Sequence, residues 1–348
     1  MINFNDLITK ANEKDVKAMN MIHNYYCLEN YMTQDYNDDL IKLITEGANH
    51  NKPYSLFHLG IMNLLGSGIK KDFDKGIELI KKSMNVKCSQ AYYLMAMLVL
   101  ANQTQYELDY DQLITIAMQM KNSSAFVQRG IEYSDKDMKK SAEFFRKAIK
   151  LDNDIAIYRL GELYHDHKKY KLAIKYYNQA MSKNIHHACF NLAVMYREGE
   201  TKNVHTSHFK LPHQKDGEGV DINIDTAKEL FTKAMDMGNV RAITCIGGIY
   251  EEQGNIKEAK KYYKMAIAKG DTFAKYNLGI IYQKEDKHKK AIKCFILGAK
   301  DGHTRSEQIL VYDYNVTNLD MNDKEIDQLL NFHYAIKDFG AYDGFLSR

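Results

Sequence analysis

The chain contains no tryptophan, only two prolines in 348 residues, and five cysteines that never form a short paired motif. Each scarcity excludes something. Proline removes a backbone donor and blocks helix interiors, so with Pro53 and Pro212 alone little interrupts a helical chain. Cys27, Cys88, Cys189, Cys245 and Cys294 stand singly and are odd in number, which argues against a disulfide framework and against a zinc knuckle. They read as small buried hydrophobes in a reducing compartment. The net charge is only +3, too little for the electrostatic footprint of a nucleic-acid binder. The longest apolar run, Ala91 to Ala101, falls far short of the ~20 residues of a membrane span. The first residues hold Asp6 and lack the basic-then-apolar order of a signal peptide. A soluble, cytoplasmic protein without nucleic-acid or membrane partners is the expectation. Heavy use of Tyr, Lys, Asn and Ile fits an A+T-rich genome, which leaves open a viral or pathogen protein acting in a host cytosol.

Motifs for chemistry are missing as well. The sequence has no phosphate-cradling Gly-x-x-x-x-Gly-Lys-Ser/Thr, no dinucleotide Gly-x-Gly-x-x-Gly, no His-Glu-x-x-His and no Gly-x-Ser-x-Gly. No catalytic residue, metal site or cofactor is therefore assigned. The stretch His165-Asp166-His167 reads as a polar hairpin turn, and His186-His187 as the turn before a helix.

What the sequence does have is repetition. Ala156, Leu160, Gly161, Tyr164, Ala173 and Ala180 make one copy of a phrase that starts again at Ala188, Ala242 and Ala274. From Leu160 the steps to Ala173, Ala180 and Leu192 are 13, 7 and 12 residues, and they recur from Ile246 and from Leu278. A period near 32 residues marks stacked helical hairpins. Ala, Leu and Tyr at i, i+4 and i+8 share one face of a first helix. Ala173, Ile174, Tyr177 and Ala180 give the second helix an apolar face that packs back on the first. The paired aromatics Phe144-Phe145, Tyr176-Tyr177 and Tyr262-Tyr263 fall on second-helix core positions. Weaker copies start at Ala18, Ser55, Ala91 and Ala125, which makes about eight hairpins.

These residues carry a resemblance. Leu-Gly-x-x-Tyr is common to the tetratricopeptide repeat and to its relative, the Sel-one-like repeat. Gly66-Ser67-Gly68-Ile69-Lys70-Lys71-Asp72 and Gly217-Glu218-Gly219-Val220 resemble the long first loop of the Sel-one-like type, with Asn223 standing where that type has Asp. The other clear copies have the shorter tetratricopeptide spacing. The chain thus resembles a hybrid closest to Sel-one-like over roughly residues 18–312. The resemblance implies an all-α, right-handed α-α superhelix. It also implies a non-enzymatic scaffold or adaptor that binds another protein on the concave face lined by first helices. By the same resemblance, Arg159, His187, Asn191, Arg241, Asn277 and Arg305 are the candidate partner-binding residues. Such a row of donors suits an acidic or extended peptide segment. The bland reading is that these side chains bond the turns of neighbouring repeats. The Cys-paired form of the family, linked to hydrolase activity, is not matched.

Two segments depart from the pattern. Residues 199–216 form a polar insertion with Pro212, His205, His208 and His213, read as a loop rather than a metal site, because nothing regular fixes the histidines. After residues 1–312, the solenoid proper, residues 313–348 hold seven acids and three bases. Within them Asp323 to Asp338 is an amphipathic helix with Ile326, Leu329, Leu330, His333 and Ile336 on one face, expected to cap the stack. A regulatory subunit that controls a bound enzyme, with the insertion or the acidic end as its switch, is the alternative function.

Overall fold

Short polar side chains start the helices and left-handed residues end them. The computed structural model describes residues 4–13, 38–199 and 220–338, and among these all eighteen regular elements are α-helices. Asp72, Asp109, Asn122, Asp137, Asn153, Asn223, Asn239, Asn255 and Asp271 each accept a backbone N–H from the helix they precede, which satisfies a donor that has no partner within the helix. Pro53 sits at the first helical position, where its missing N–H costs nothing. The turns after two later second helices place Gly238 and Gly270 at φ +93° and +87°, a conformation that a β-carbon disfavours.

The chain divides into two compact units, Met1–Ile185 and His186–Arg348. The first contains α1 (Phe4–Asn12), α2 (Asp38–Asn49), α3 (Pro53–Leu65), α4 (Phe73–Asn85), α5 (Ser89–Leu100), α6 (Tyr110–Gln119), α7 (Ser123–Tyr133), α8 (Met138–Ile149), α9 (Asp154–Asp166) and α10 (Tyr170–Met181). From α3 onward they pair as hairpins, α3 with α4 through α9 with α10, and α4, α6 and α8 also pack on the first helix that follows them. The second unit contains α11 (His186–Glu198), α12 (Ile224–Asp236), α13 (Val240–Glu252), α14 (Ile256–Ala268), α15 (Thr272–Lys284), α16 (His288–Lys300), α17 (Thr304–Tyr314) and α18 (Asp323–Asp338). It repeats the same pairing from α11 with α12 to α15 with α16. Seven hairpins of the expected kind are thus described. The copy expected from Ala18, Ile22 and Tyr26, and the His-bearing insertion apart from Gly199, lie outside the described residues.

The phrase works as its spacing predicts. Ala156, Leu160, Ala173 and Ala180 are fully buried, and so are their counterparts Ala242, Ala259 and Ala266. Glycine after the motif Leu brings the helices together. A β-carbon on Gly161 would stand 2.7 Å from the Tyr177 ring, and one on Gly247 equally close to Tyr263. In the aromatic pairs only Phe145, Tyr177 and Tyr263 are core residues. Their neighbours stay half-buried and lie on the motif tyrosines: Tyr176 stacks on Tyr164, Tyr262 stacks on Tyr250, and Phe144 meets Tyr133. The outer position is solvent-facing because adjacent residues on a helix differ by 100° in direction.

Polar contacts join repeat to repeat. The cap Asn122 donates to Ser89, and the cap Asn153 donates to Ser123 at 3.1 Å; each partner opens the first helix one repeat earlier. Asn239 meets His186 in the same way, and the cap Asp271 accepts from Thr244 at 3.0 Å. These caps are almost wholly buried. A second set of contacts joins the motif tyrosines to cations of the preceding second helix. Arg146 donates to Tyr164 at 2.6 Å, Lys228 lies 3.9 Å from the Tyr250 ring centre, and Lys260 lies 5.3 Å from that of Tyr282.

Candidate functional site: a groove along α11, α13 and α15

First helices carry their motif face inward, so their other face lines open space. In the second unit this space is a groove of about 570 Å³. Arg197 comes from α11, Arg241, Thr244, Cys245, Gly248, Glu251 and Glu252 from α13, and Phe273, Asn277 and Lys284 from α15. Asp271 and Tyr263 complete the lining. Gly248 keeps the floor open. A β-carbon there would reach only the ends of Arg197 and Tyr263, at 3.5 and 3.7 Å.

Most of the charge in the groove is already matched. Arg197 pairs with Glu252 at 2.5 Å and Lys284 with Glu251 at 3.0 Å. The Tyr263 hydroxyl donates to Glu251 at 2.9 Å. Asp271 takes the Thr244 hydroxyl and caps α15. Burial works against the Arg197 charge, yet the Glu252 carboxylate outweighs it and raises the guanidinium pKa. Burial, and then the Glu251 charge, hold the Tyr263 hydroxyl well above the ordinary tyrosine range. Burial also pushes the Cys245 thiol up to about 11, against the pull of Arg197 and Arg241. The thiol and the phenol therefore stay neutral at physiological pH, and each carboxylate is engaged.

Arg241 differs from the other cations. It is exposed and lies over the Phe190 ring, 5.3 Å from its centre. Among the described residues no carboxylate comes within ion-pair distance of it. Across the groove stand the half-buried Asn277 amide and the Phe273 ring, which is 57% exposed.

Of the six residues expected at a binding face, the structure brings Arg241 and Asn277 together in this groove. His187 and Asn191 lie on α11 without lining it, and the two rings of His186 and His187 sit 4.0 Å apart within the helix itself rather than in a preceding turn. Arg305 is exposed at the start of α17. There it helps burial keep the His303 pKa low. Arg159 belongs to the first unit and pairs with Glu162 on its own helix at 2.7 Å. Sequence reasoning missed Arg197, Glu251, Glu252 and Lys284. The available signal was the doublet Gly247-Gly248: one glycine suffices for helix approach, and the second marks space on the other face. Among the described residues no three His, Cys, Asp or Glu side chains gather as a metal site, and no helix is long and apolar enough to cross a membrane.

Comparison with known proteins agrees with the repeat fold. The tetratricopeptide repeat pattern matches residues 156–182, 241–268 and 274–298. The Sel1 repeat pattern matches residues 53–83, 125–153, 186–207 and 213–239. Among solved structures, a Sel1 repeat protein from Oxalobacter formigenes is similar at 16% identity, covering 88% of this chain and 88% of that chain with a TM-score of 0.51. A protective antigen of uropathogenic Escherichia coli displaying an SLR fold is similar at 17% identity over 95% and 79% of the two chains, with a TM-score of 0.45. An immunity protein from Pseudomonas aeruginosa is 17% identical over 57% and 74%, with a TM-score of 0.43. Of these three, the Oxalobacter likeness speaks for the fold, and for the fold alone. No curated protein matches the chain in sequence.

Proposed function

Because the chain is a Sel1-like repeat protein related to the tetratricopeptide repeat proteins, we propose that it is a scaffold whose α11–α13–α15 groove receives an extended segment of a partner protein. Repeats of these two kinds build protein-interaction scaffolds, and hairpin stacks present long surfaces for that purpose. The observation that carries the finer reading is Arg241, an exposed guanidinium with no carboxylate of its own beside an amide and an exposed aromatic ring. One carboxylate of the guest meets Arg241, its backbone meets Asn277, and an apolar side chain covers Phe273. With three cations and three carboxylates lining it, the groove favours a segment with one well-placed acid over a strongly acidic one. His187, Asn191 and Arg305 belong to the same proposal as first-helix positions of adjoining repeats, and Arg159 as the corresponding position in the first unit.

The test is a peptide-display selection on the full chain beside Arg241→Glu and Asn277→Ala, each first checked for unchanged helicity. Peptides selected by the wild type should lose about ten-fold or more in affinity on either variant, the scale of a charge-assisted hydrogen bond. Selection of the same peptides, with equal affinity, by all three proteins would refute the groove assignment.

A further inference from the structure

Away from the groove, charge in the second unit is strongly uneven. Residues 256–300 contain twelve lysines against four carboxylates, and residues 301–330 contain seven carboxylates against Arg305 and Lys324. The chain matches part of this itself. Asp327, Asp323 and Asp320 meet Lys289, Lys293 and Lys300 at 2.6, 2.6 and 2.7 Å. Between those pairs Ile326 and Leu330 enter the core formed with Phe295, Leu310 and Tyr314. One face of α16 is thus covered by an acidic amphipathic segment, held by ion pairs along an apolar seam.

The basic face continues onto α14, where nothing described covers it. Lys257, Lys260, Lys261 and Lys264 recur at i, i+3, i+4 and i+7, one side of the helix. Together with Ile256 and Glu285 they line a depression of about 660 Å³. Lys260 of α14 and Lys290 of α16 approach the same Tyr282 ring, at 5.3 and 5.7 Å, so the two helices share one surface there. Glu285 is taken by Lys260 and Lys287, and Glu258 by Lys261. Lys257, Lys264 and Lys290 are exposed, and among the described residues no carboxylate comes within ion-pair distance of them. One and two turns beyond Lys290 on its face of α16 follow Cys294 and Leu297, the latter 50% exposed. Cys294 packs on the core shared with Ile256 and Tyr262 of α14, which places this stripe beside α14.

We propose that the α14–α16 face docks an acidic amphipathic helix of a partner protein, seated as α18 is seated on the neighbouring face of α16. The guest carries carboxylates at i and i+4, as Asp323 and Asp327 do, with an apolar residue between them that reaches Leu297. A continuous phosphate track is disfavoured because Glu285 and Glu258, already paired with Lys260, Lys287 and Lys261, break the row of available cations, and Asp286 stands beside it. This face is separate from the groove, and the two assignments stand or fall independently.

Fluorescence anisotropy tests the proposal with a labelled helical peptide bearing Glu at i and i+4 and Leu on one edge. The full chain is compared with Lys257→Glu/Lys261→Glu/Lys264→Glu, with the milder K257Q/K261Q/K264Q, and with the groove variant Arg241→Glu. All three lysines are exposed, and circular dichroism checks that the helices are intact. The wild type and Arg241→Glu should bind the peptide equally. The Glu variant should bind about ten-fold or more weakly, as expected when three exposed ion pairs are reversed, with the Gln variant between them. Failure of the wild type to bind, or equal binding by the Glu variant, overturns the proposal. So does tighter binding of a short DNA duplex or of phosphatidylserine vesicles than of the peptide.

Discussion

Gly247 and Gly248 are adjacent in sequence and opposite in meaning. Gly247 faces the second helix, where Tyr263 is 1% exposed and has nowhere to move. Gly247→Ala should therefore destabilise the protein by about 1–3 kcal/mol, overpacking outweighing the gain in helix propensity. Gly248 faces the groove and meets only the flexible end of Arg197 and the Tyr263 hydroxyl. Gly248→Ala should stabilise by about 0.5–1 kcal/mol, the propensity gain alone, while it narrows the groove. Urea denaturation of the two variants decides between these signs. The first glycine was legible, because the Leu-Gly-x-x-Tyr phrase demands close helix approach after the motif apolar residue. The partners that Glu251 and Glu252 take were not legible. Nothing local indicates that Lys284, 33 positions from Glu251, and Arg197, 55 positions from Glu252, lie opposite them.

Among the elements, α18 was the most predictable in outline and the least in its docking. Its amphipathic pattern located the helix at Asp323–Asp338, and Ile326 and Leu330 are buried as that pattern requires. Which surface it covers depended on lysines of a helix whose own phrase records only its inward face. The attachment has a pH signature. Lysine hydrogen bonds, first of all, hold the carboxyls of Asp320 and Asp323 below the usual aspartate range. Their stabilising effect is present above the unfolded aspartate pKa of about 4 and is lost as pH falls through the lower folded value. It should also fade with salt, because the pairs are exposed. Protection against hydrogen exchange, corrected for the intrinsic pH dependence of the amide rate, should fall across residues 316–330 at acid pH and at high salt, while protection in α13 and α14 holds steady. Equal loss of protection in all three helices would mean that the ion pairs do not hold α18 in place.

At the scale of the whole molecule, among the described residues each hairpin packs chiefly on its neighbours within a unit. In such a chain, stability is close to a sum of hairpin terms and interface terms. Phe145 is 2% exposed at the core of the α7–α8 hairpin, and Phe145→Ala should remove about 3–5 kcal/mol. The damage should stay local, with faster exchange in α7 to α10 and little change in α15 and α16. A uniform rise would show instead that the two units unfold as one. The repeating steps of 13, 7 and 12 residues disclosed this organisation in advance, whereas the division near residue 185 was invisible, because the phrase runs on across it without a break. The polar caps add a consequence of their own. Since Asn122, Asn153 and Asn239 each find a partner on the hairpin before, these three hairpins bring their own coupling to their predecessors. Duplicating one entire unit of the phrase in the gene adds a part that already fits, so such a chain is free to change length in whole hairpins. A partial copy strands a buried amide, and is the kind of length change that folding would reject.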